Sequence, residues 1–382
     1  MAKNKQDKRP NVPPLRFPEF TEPWEPSTLQ EIAEFSKGTG ISKEQRSETG
    51  LPCILYGELY TTYSNEVIED VVSRTDLDPT DLVKSQSNDV IIPSSGETAE
   101  DIATARCVTD DNVLLGGDIN IIRLNEPHDG RFMSYQLNGI RKYDIAKIAQ
   151  GVSVVHLYSN ELKKMSVSLP QSAEQKKIAN FLGLLDRRIV IQSKLIEDLQ
   201  QLKSAISTII FSNLNYEIVK LGDICSITTG KLDANAMVDN GVYPFFTCAE
   251  QIYKIDTYSF DSEALLISGN GANVGYIHYY KGKFNAYQRT YVLSDFQVNI
   301  IYVKYFLDKY LHNRIEQEKN TGNTPYILMS TLSEMKINIP KSEQQNKIIE
   351  ILTSISNKIE IEQQLLIRIN LQKQYLLKVM FT

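Results

Sequence analysis

Cysteine and histidine are both scarce, four of each in 382 residues. Cys53, Cys107, Cys225 and Cys248 form no C-x-x-C pair, and the histidines are equally scattered. That spacing points to buried or half-buried structural thiols, and away from a zinc site or a disulfide framework. A basic excess is missing too: 41 Lys and Arg against 47 Asp and Glu leave a formal net charge of -6. Sequence-independent grip on a polyanion comes from Lys and Arg on phosphates, so any such surface here is expected to be a local basic face on an acidic body, open to completion by partners. No apolar run approaches the ~18 residues that a bilayer requires. Met1-Ala2-Lys3-Asn4-Lys5 leads into no apolar core of signal-peptide length. The expectation is a cytoplasmic chain with no membrane partner.

Catalytic signatures are absent as well. The nearest approach to the Asn/Asp-Pro-Pro-aromatic loop of an adenine methyltransferase is Asn323-Thr324-Pro325-Tyr326, which lacks the first proline. Gly269-Asn270-Gly271 and Gly275 follow the strand-like Ala264 to Ser268, but Tyr276 to Tyr280 reads as another strand, so no helix N-terminus is offered to a charged group. There is no G-x-x-x-x-G-K-[ST], no H-E-x-x-H and no G-x-S-x-G. Glu97 with Glu100, and Asp110 with Asp111, have the spacing of ordinary solvated loops. The sequence predicts no catalytic residue, no metal ligand and no cofactor held by this chain.

What is present is length for two or three domains, a soluble globular composition (42% hydrophobic, 23% charged), and an internal repeat. Leu162 to Ile189 and Leu332 to Ile359 match without a gap at Leu162/Leu332, Met165/Met335, Pro170/Pro340, Ser172/Ser342, Gln175/Gln345, Lys177/Lys347, Ile178/Ile348, Leu182/Leu352 and Ile189/Ile359. Each copy opens with an alternating strand that a proline ends. Ser-x-x-Gln follows, the capping-box pattern that starts a helix.

From there Ile178, Leu182, Leu185, Ile189, Ile196, Leu199 and Ile206 fall at spacings of a heptad seam, as do Ile348, Leu352, Ile355, Ile359, Leu366, Ile369 and Leu376. Gln192 and Lys203 interrupt the first seam, and Glu362 and Lys373 the second, at corresponding places. Polar seam positions cost stability and fix register, so their recurrence predicts that the two helices meet each other. Two amphipathic helices, each packed on its own domain, are the alternative.

The repeat extends upstream. Trp24 to Gly38 is similar to Tyr216 to Gly230 through Leu29/Leu221, Ile32/Ile224 and Gly38/Gly230, and Asp89 to Gly96 to Ala264 to Gly271. The predicted organisation is an extended arm over 1–23, rich in Pro10, Pro13, Pro14, Pro18 and Pro23, then a globular domain over 24–170, a long helix over 171–213, a second globular domain over 214–340, and a second long helix over 341–382. The fold class is mixed α/β (α+β), with a pseudo-two-fold internal repeat.

Two variable domains, each followed by a similar long helix, resemble the specificity subunits of type I restriction-modification systems. The strand-Pro-Ser-x-x-Gln-helix element, written twice, and the opening Pro14-Leu15-Arg16-Phe17-Pro18-Glu19-Phe20 with Trp24 carry the resemblance, which covers essentially the whole chain. It implies two target-recognition domains, each reading half of a split double-stranded DNA target, and two helices packed as an antiparallel coiled coil. It also implies two modification (methyltransferase) subunits and restriction (motor-nuclease) subunits as partners, with S-adenosylmethionine, ATP and Mg on those partners.

A helix from Ser172 to about Ser212 spans roughly 60 Å at ~1.5 Å per residue, against about 34 Å between half-sites on one face of B-DNA. For DNA contact the polar turn residues Lys37, Ser94, Ser95, Thr98 and Asn120 in the first half, and Lys231, Asn270, Asn273, Gln288, Arg289, Asn323 and Thr324 in the second, are the candidates. Asn120 and Arg289 are expected at equivalent points before a strand. Each could instead be a turn residue bonding its own backbone. The competing function is a DNA methyltransferase or nuclease with an unrecognised site, and a third is a coiled-coil scaffold.

Overall fold

The computed structural model describes residues 11–212, 216–318 and 326–382. They divide into two compact units, Met1–Ser193 with Gln364–Thr382, and Lys194–Gln363. Each unit therefore holds one globular head and a segment of each of the two long helices, Ser172–Ser212 and Ser342–Val379.

In the first unit a five-stranded sheet runs in the order Ala33–Lys37, Ile119–Leu124, Val90–Pro93, Arg106–Val108, Val67–Ile68. The run Val90-Ile91-Ile92 is buried on both faces, which explains why it reads as continuously apolar in place of alternating. Period two then sorts its side chains. Val90, Ile92 and Ile122 join Phe132 and Met133 on one face, while Ile91, Ile119 and Ile121 join Ile54 and Leu115 on the other. That second face is covered by a four-stranded sheet ordered Leu114–Leu115, Leu51–Ile54, Ser73–Thr75, Arg46–Ser47. The first face is covered by the helix Gly130–Asn138, whose cap Asp129 accepts from the Arg131 and Phe132 N–H groups.

In the second unit a six-stranded sheet runs in the order Ser226–Thr229, Thr290–Ser294, Phe260–Ser268, Ile277–Ala286, Tyr243–Phe246, Tyr253–Ile255. Leu265, Ile267 and Leu293 face the helix Ile300–Glu318, and Ala264, Leu266 and Val292 face Phe246 and Phe284. The repeat is thus a repeat of structure. Glu25–Thr28 pairs with Ser166–Leu169 in one head, as Glu217–Lys220 pairs with Lys336–Ile339 in the other. The Leu29 N–H donates to the Met165 carbonyl and the Leu221 N–H to the Met335 carbonyl.

Gln175 and Gln345 do something other than close a capping box. Each donates from Nε2 to the carbonyl five residues back, Pro170 or Pro340, at 2.8 and 2.9 Å. Each Oε1 accepts from the N–H just ahead of a helix in its own head, that of Asp129 before Gly130–Asn138 or of Asn299 before Ile300–Glu318. A buried amide that can bridge two backbones satisfies more than a local cap would, so tertiary contact overrides the local pattern.

Both units close on the two helices in the same way. In the first, Ile178, Ala179 and Leu182 share a core with Leu376, Leu377, Met380 and Phe381, so the start of one helix meets the end of the other. In the second, Ile206, Ile210 and Phe211 share a core with Ile348, Ile349 and Leu352. Within each unit the helical segments run antiparallel. All the seam residues Leu185, Ile189, Ile196, Leu199, Ile355, Ile359, Leu366 and Ile369 are buried or half-buried. Phe381 packs 6.2 Å from Trp24 and 5.3 Å from Phe132, and Phe211 packs 5.9 Å from Tyr302 and 5.4 Å from Phe306.

Residues 11–23 form no helix or strand and lie along the helices. The Leu15 N–H donates to the Val379 carbonyl, and Arg16 makes a two-pronged ion pair with Glu174 at 2.7 Å. The arm's basic residues Lys3, Lys5, Lys8 and Arg9, with Pro10, lie outside the described residues.

Candidate nucleic-acid interface

In each head the strand ends and glycine turns converge at one end of the main sheet. In the first, the Gly38 N–H donates to the Ile119 carbonyl, the Ser94 N–H to Asp118, and the Leu157 N–H to Ser94. In the second, the Gly230 N–H donates to the Thr290 carbonyl, the Gly269 N–H to Arg289, and the Ile327 N–H to Gly269. These two sets of three bonds match one another and fix which residue of one tip answers which of the other. A Cβ on Gly38 would sit 2.0 Å from the Gly116 carbonyl oxygen, and one on Gly230 2.0 Å from that of Ala286, so the close backbone approach requires glycine at both places.

This register corrects the expected equivalence of Asn120 with Arg289. The counterpart of Arg289 is Asp118, and the counterpart of Asn120 is Tyr291. Asn120 is fully buried; its Nδ2 donates to the Leu157 carbonyl at 2.9 Å and its Oδ1 accepts from the Ser159 hydroxyl. The Tyr291 hydroxyl donates to Ile327, the matching carbonyl, also at 2.9 Å, and burial raises its pKa. Both side chains clip the head to the segment that leads into its long helix. Asn120 is buried with both ends of its amide engaged, so it is not presented to a base, and the sequence could not show this because the clip joins residues 37 apart.

Of the other candidates, Ser94 and Ser95 are buried beside Asp118 and the short strand Val155–His156. Thr98 caps the short helix Ala99–Ile102 by accepting from the Asp101 N–H. Lys37 is exposed at the end of its strand. In the second head Lys231, Gln288 and Arg289 are exposed, and Asn270 and Asn273 half-exposed. The fold gathers these five: the Gln288 N–H bonds Leu232, Asn273 Nδ2 bonds the Cys248 carbonyl, and Cys248 Sγ bonds Arg289. Asn323 and Thr324 lie outside the described residues. Among the described residues no group of three or more His, Cys, Asp or Glu could hold a metal, and no helix is long and apolar enough to cross a membrane.

The family described as type I restriction modification DNA specificity domain matches residues 21–201 and again 213–371. The chain belongs to that family. A type I restriction enzyme EcoDI specificity subunit of Escherichia coli is 36% identical over 147 residues, 38% of this chain but only 32% of that protein's length. The MjaVIII specificity subunit of Methanocaldococcus jannaschii is 21% identical over 416 aligned positions, covering 96% of this chain and 93% of that protein. The crystal structure of a type I restriction-modification S subunit from M. genitalium has the same fold, with a TM-score of 0.69 at 19% identity, covering 97% of this chain and 99% of that one. For a specificity subunit the two matches to one family coincide with the two structural repeats, each head taken with the helix that follows it.

The helical frame of this specificity subunit carries a charge cluster that sequence reading missed. Lys373, expected only as a polar interruption of the seam, is buried against Glu66 and Asp186, 2.5 Å from Asp186. Asp186 Oδ2 also accepts from the Tyr135 hydroxyl at 2.6 Å. Burial, helped by Glu66, raises the pKa of Asp186 despite Lys373. For Lys373 burial acts to lower the pKa, but the carboxylates of Glu66 and Asp186 outweigh it and the net direction is up.

Its repeat counterpart Lys203 has no carboxylate in contact among the described residues. It sits 5.5 Å from the ring centroid of Tyr305, the counterpart of Tyr135, and burial lowers its pKa. A cleft of about 570 Å³ beside Tyr135 and Asp186 is lined by Arg131 and Arg187. Arg131 is engaged by Asp129 and Asn180, and Arg187 by Glu69, so neither is an uncommitted charge for a ligand.

Proposed function

We propose that the chain is a non-catalytic DNA specificity subunit that reads a bipartite double-stranded target, one half with each head, and scaffolds two modification subunits and the restriction subunits of a type I complex. The observation that carries this reading is a duplicated frame with unlike tips. Gln175 and Gln345, Tyr135 and Tyr305, and the carbonyls of Leu157 and Ile327 hold equivalent places in the two heads. Identical scaffolding beneath different exposed side chains suits two separate recognition tasks, because phosphate and backbone contacts position a protein while side chains at base edges specify.

The helices offer surface for partners. Leu184, Ile191, Leu195, Leu202 and Ile209 are exposed along the first at spacings of seven and four, and Ile361, Ile367, Leu371 and Tyr375 along the second. Exposed apolar stripes of that length mark protein contacts. S-adenosylmethionine, ATP and Mg belong on the partner subunits in this reading, and the complex works in the cytoplasm.

The test is to assay the purified chain alone and then with its modification subunits, supplying S-adenosylmethionine. The chain alone should leave DNA unmodified and uncut, and the complex should methylate an asymmetric two-part motif. Modification or cleavage of DNA by the chain alone, given S-adenosylmethionine or a divalent metal, would instead establish the enzyme reading. Absence of DNA binding by the complex would leave only a scaffold.

A further inference from the structure

The structure assigns to Asp118 and Arg289 one and the same place in the two heads, and we propose that they are paired specificity-determining residues of opposite hydrogen-bond polarity, Asp118 selecting cytosine in one half-site and Arg289 guanine in the other. The inference rests on the bipartite reading above and deepens it.

Three features of the position support it. The backbone there is locked, since the Asp118 carbonyl accepts from Ser94 at 2.7 Å and the Arg289 carbonyl from Gly269 at 2.9 Å. One residue further on, the chain enters a strand whose next-but-one side chain, Asn120 or Tyr291, is clipped to the matching carbonyl. A side chain on so rigid a turn is aimed by the fold, which recognition at hydrogen-bond precision needs.

Both side chains are exposed and nearly idle. Among the described residues no hydrogen bond or ion pair engages the Arg289 guanidinium, and the Asp118 carboxylate has only the Ser94 hydroxyl at 3.4 Å. Exposed charges of no structural use at equivalent positions are open to change without loss of the frame. The two side chains carry opposite sign, whereas the clip two residues on makes the matching bond in both heads.

The chemistry follows from the groove edges. A carboxylate only accepts, and in the major groove the cytosine amino group is a donor; a guanidinium only donates, and guanine presents two acceptors, O6 and N7. Asp118 takes up its place with φ at 57°, a conformation that Asn adopts as readily as Asp, so Asp118→Asn keeps the backbone and replaces an acceptor-only carboxylate by a neutral amide that donates and accepts.

The experiment sequences methylated sites made by the complex carrying wild-type chain, Asp118→Asn or Arg289→Gln. An amide both donates and accepts, which suits adenine. Each variant should therefore admit adenine at one position of one half-site, with discrimination there changed by roughly 10-fold or more, the worth of a bidentate contact. The two variants should act on different half-sites.

Motifs identical to wild type in both variants would overturn the proposal, and so would either variant altering both half-sites together. A variant too weak to methylate is read by competition gel-shift against duplexes changed one base pair at a time. Equal weakening on every duplex assigns the residue to phosphate or structure and refutes base reading. A wild-type complex that yields no two-part motif removes the bipartite reading itself, which separates that failure from this one.

Discussion

Lys373 and Lys203 occupy the same seam position in the two repeats, yet replacing each by Met should have very different costs. Lys373 is the cation between two buried carboxylates, Glu66 and Asp186. Removing it takes away the one ammonium that pairs with both at a buried site, leaving the Arg106 guanidinium as the neighbouring positive charge, and losing one partner of a buried pair costs about 3–5 kcal/mol. For a unit of this size roughly 2–4 °C accompanies each kcal/mol, so the first unit's melting transition should fall by about 6–20 °C. Lys203 is half-buried over Tyr305 with its charge already disfavoured by burial. Met keeps the aliphatic packing, so Lys203→Met should lie within about 1 kcal/mol of wild type.

The pH dependence adds a sign. Asp186 has its folded pKa raised, so its contribution is fully present below the unfolded value and is lost as pH rises through the folded one. Without Lys373 that pKa rises further, and the deficit of Lys373→Met should widen from about pH 4 towards neutrality. Combining Lys373→Met with Glu66→Gln and Asp186→Asn removes the uncompensated charge and should recover most of the loss. Calorimetry of the whole chain decides it: equal costs for Lys373→Met and Lys203→Met, or a triple variant no better than the single, would refute the reasoning.

Phe381→Ala and Phe211→Ala should each cost about 3–5 kcal/mol, because each is a fully buried ring among other aromatics, and each should lower the transition of its own unit in a calorimetric scan. Alkylation followed by mass spectrometry at pH 8 should label Cys248 first, since burial pushes Cys53 up to about 11 and Cys225 up to about 12 and the thiolate is the reactive form. The labelling rate at Cys53 should rise with pH towards 11. Deleting one heptad from each long helix should change the spacer between half-sites and leave both half-sequences as they were; a methylated motif with its spacer unaltered would refute the helices as a ruler.

The parts of the fold written in short periods were legible in the sequence. Alternation marked the strands before Pro170 and Pro340, and the heptad marked both helices with their polar interruptions at Lys203 and Lys373. What escaped depended on distance along the chain. Glu66 lies 307 residues from Lys373, so the interruption could be read as a register device but not as one member of a buried cluster. The equivalence of the tips was missed by two residues because Gly116-Gly117-Asp118 and Ala286 to Arg289 approach their strands through different turns, and only backbone hydrogen bonds fix which residue answers which. Of the candidate contacts, Asn120 was misread for the same reason, as a polar side chain at a strand start looks alike whether it faces solvent or a buried carbonyl.

That distinction has its own consequence. Asn120 satisfies the buried Leu157 carbonyl and the half-buried Ser159 hydroxyl, while Asp118 two residues earlier satisfies almost nothing inside the fold. Truncating Asn120 to Ala leaves the buried Leu157 carbonyl without its partner, a loss of about 1–3 kcal/mol, while the half-buried Ser159 hydroxyl can turn to water. The head should melt at lower temperature, and the methylated motif, wherever the complex still assembles, should be unchanged. An Asn120→Ala complex of wild-type stability with an altered base preference would move Asn120 from the frame to the reading surface. It would also break the register on which the pairing of Asp118 with Arg289 depends, because both equivalences are read from the same three backbone hydrogen bonds in each head.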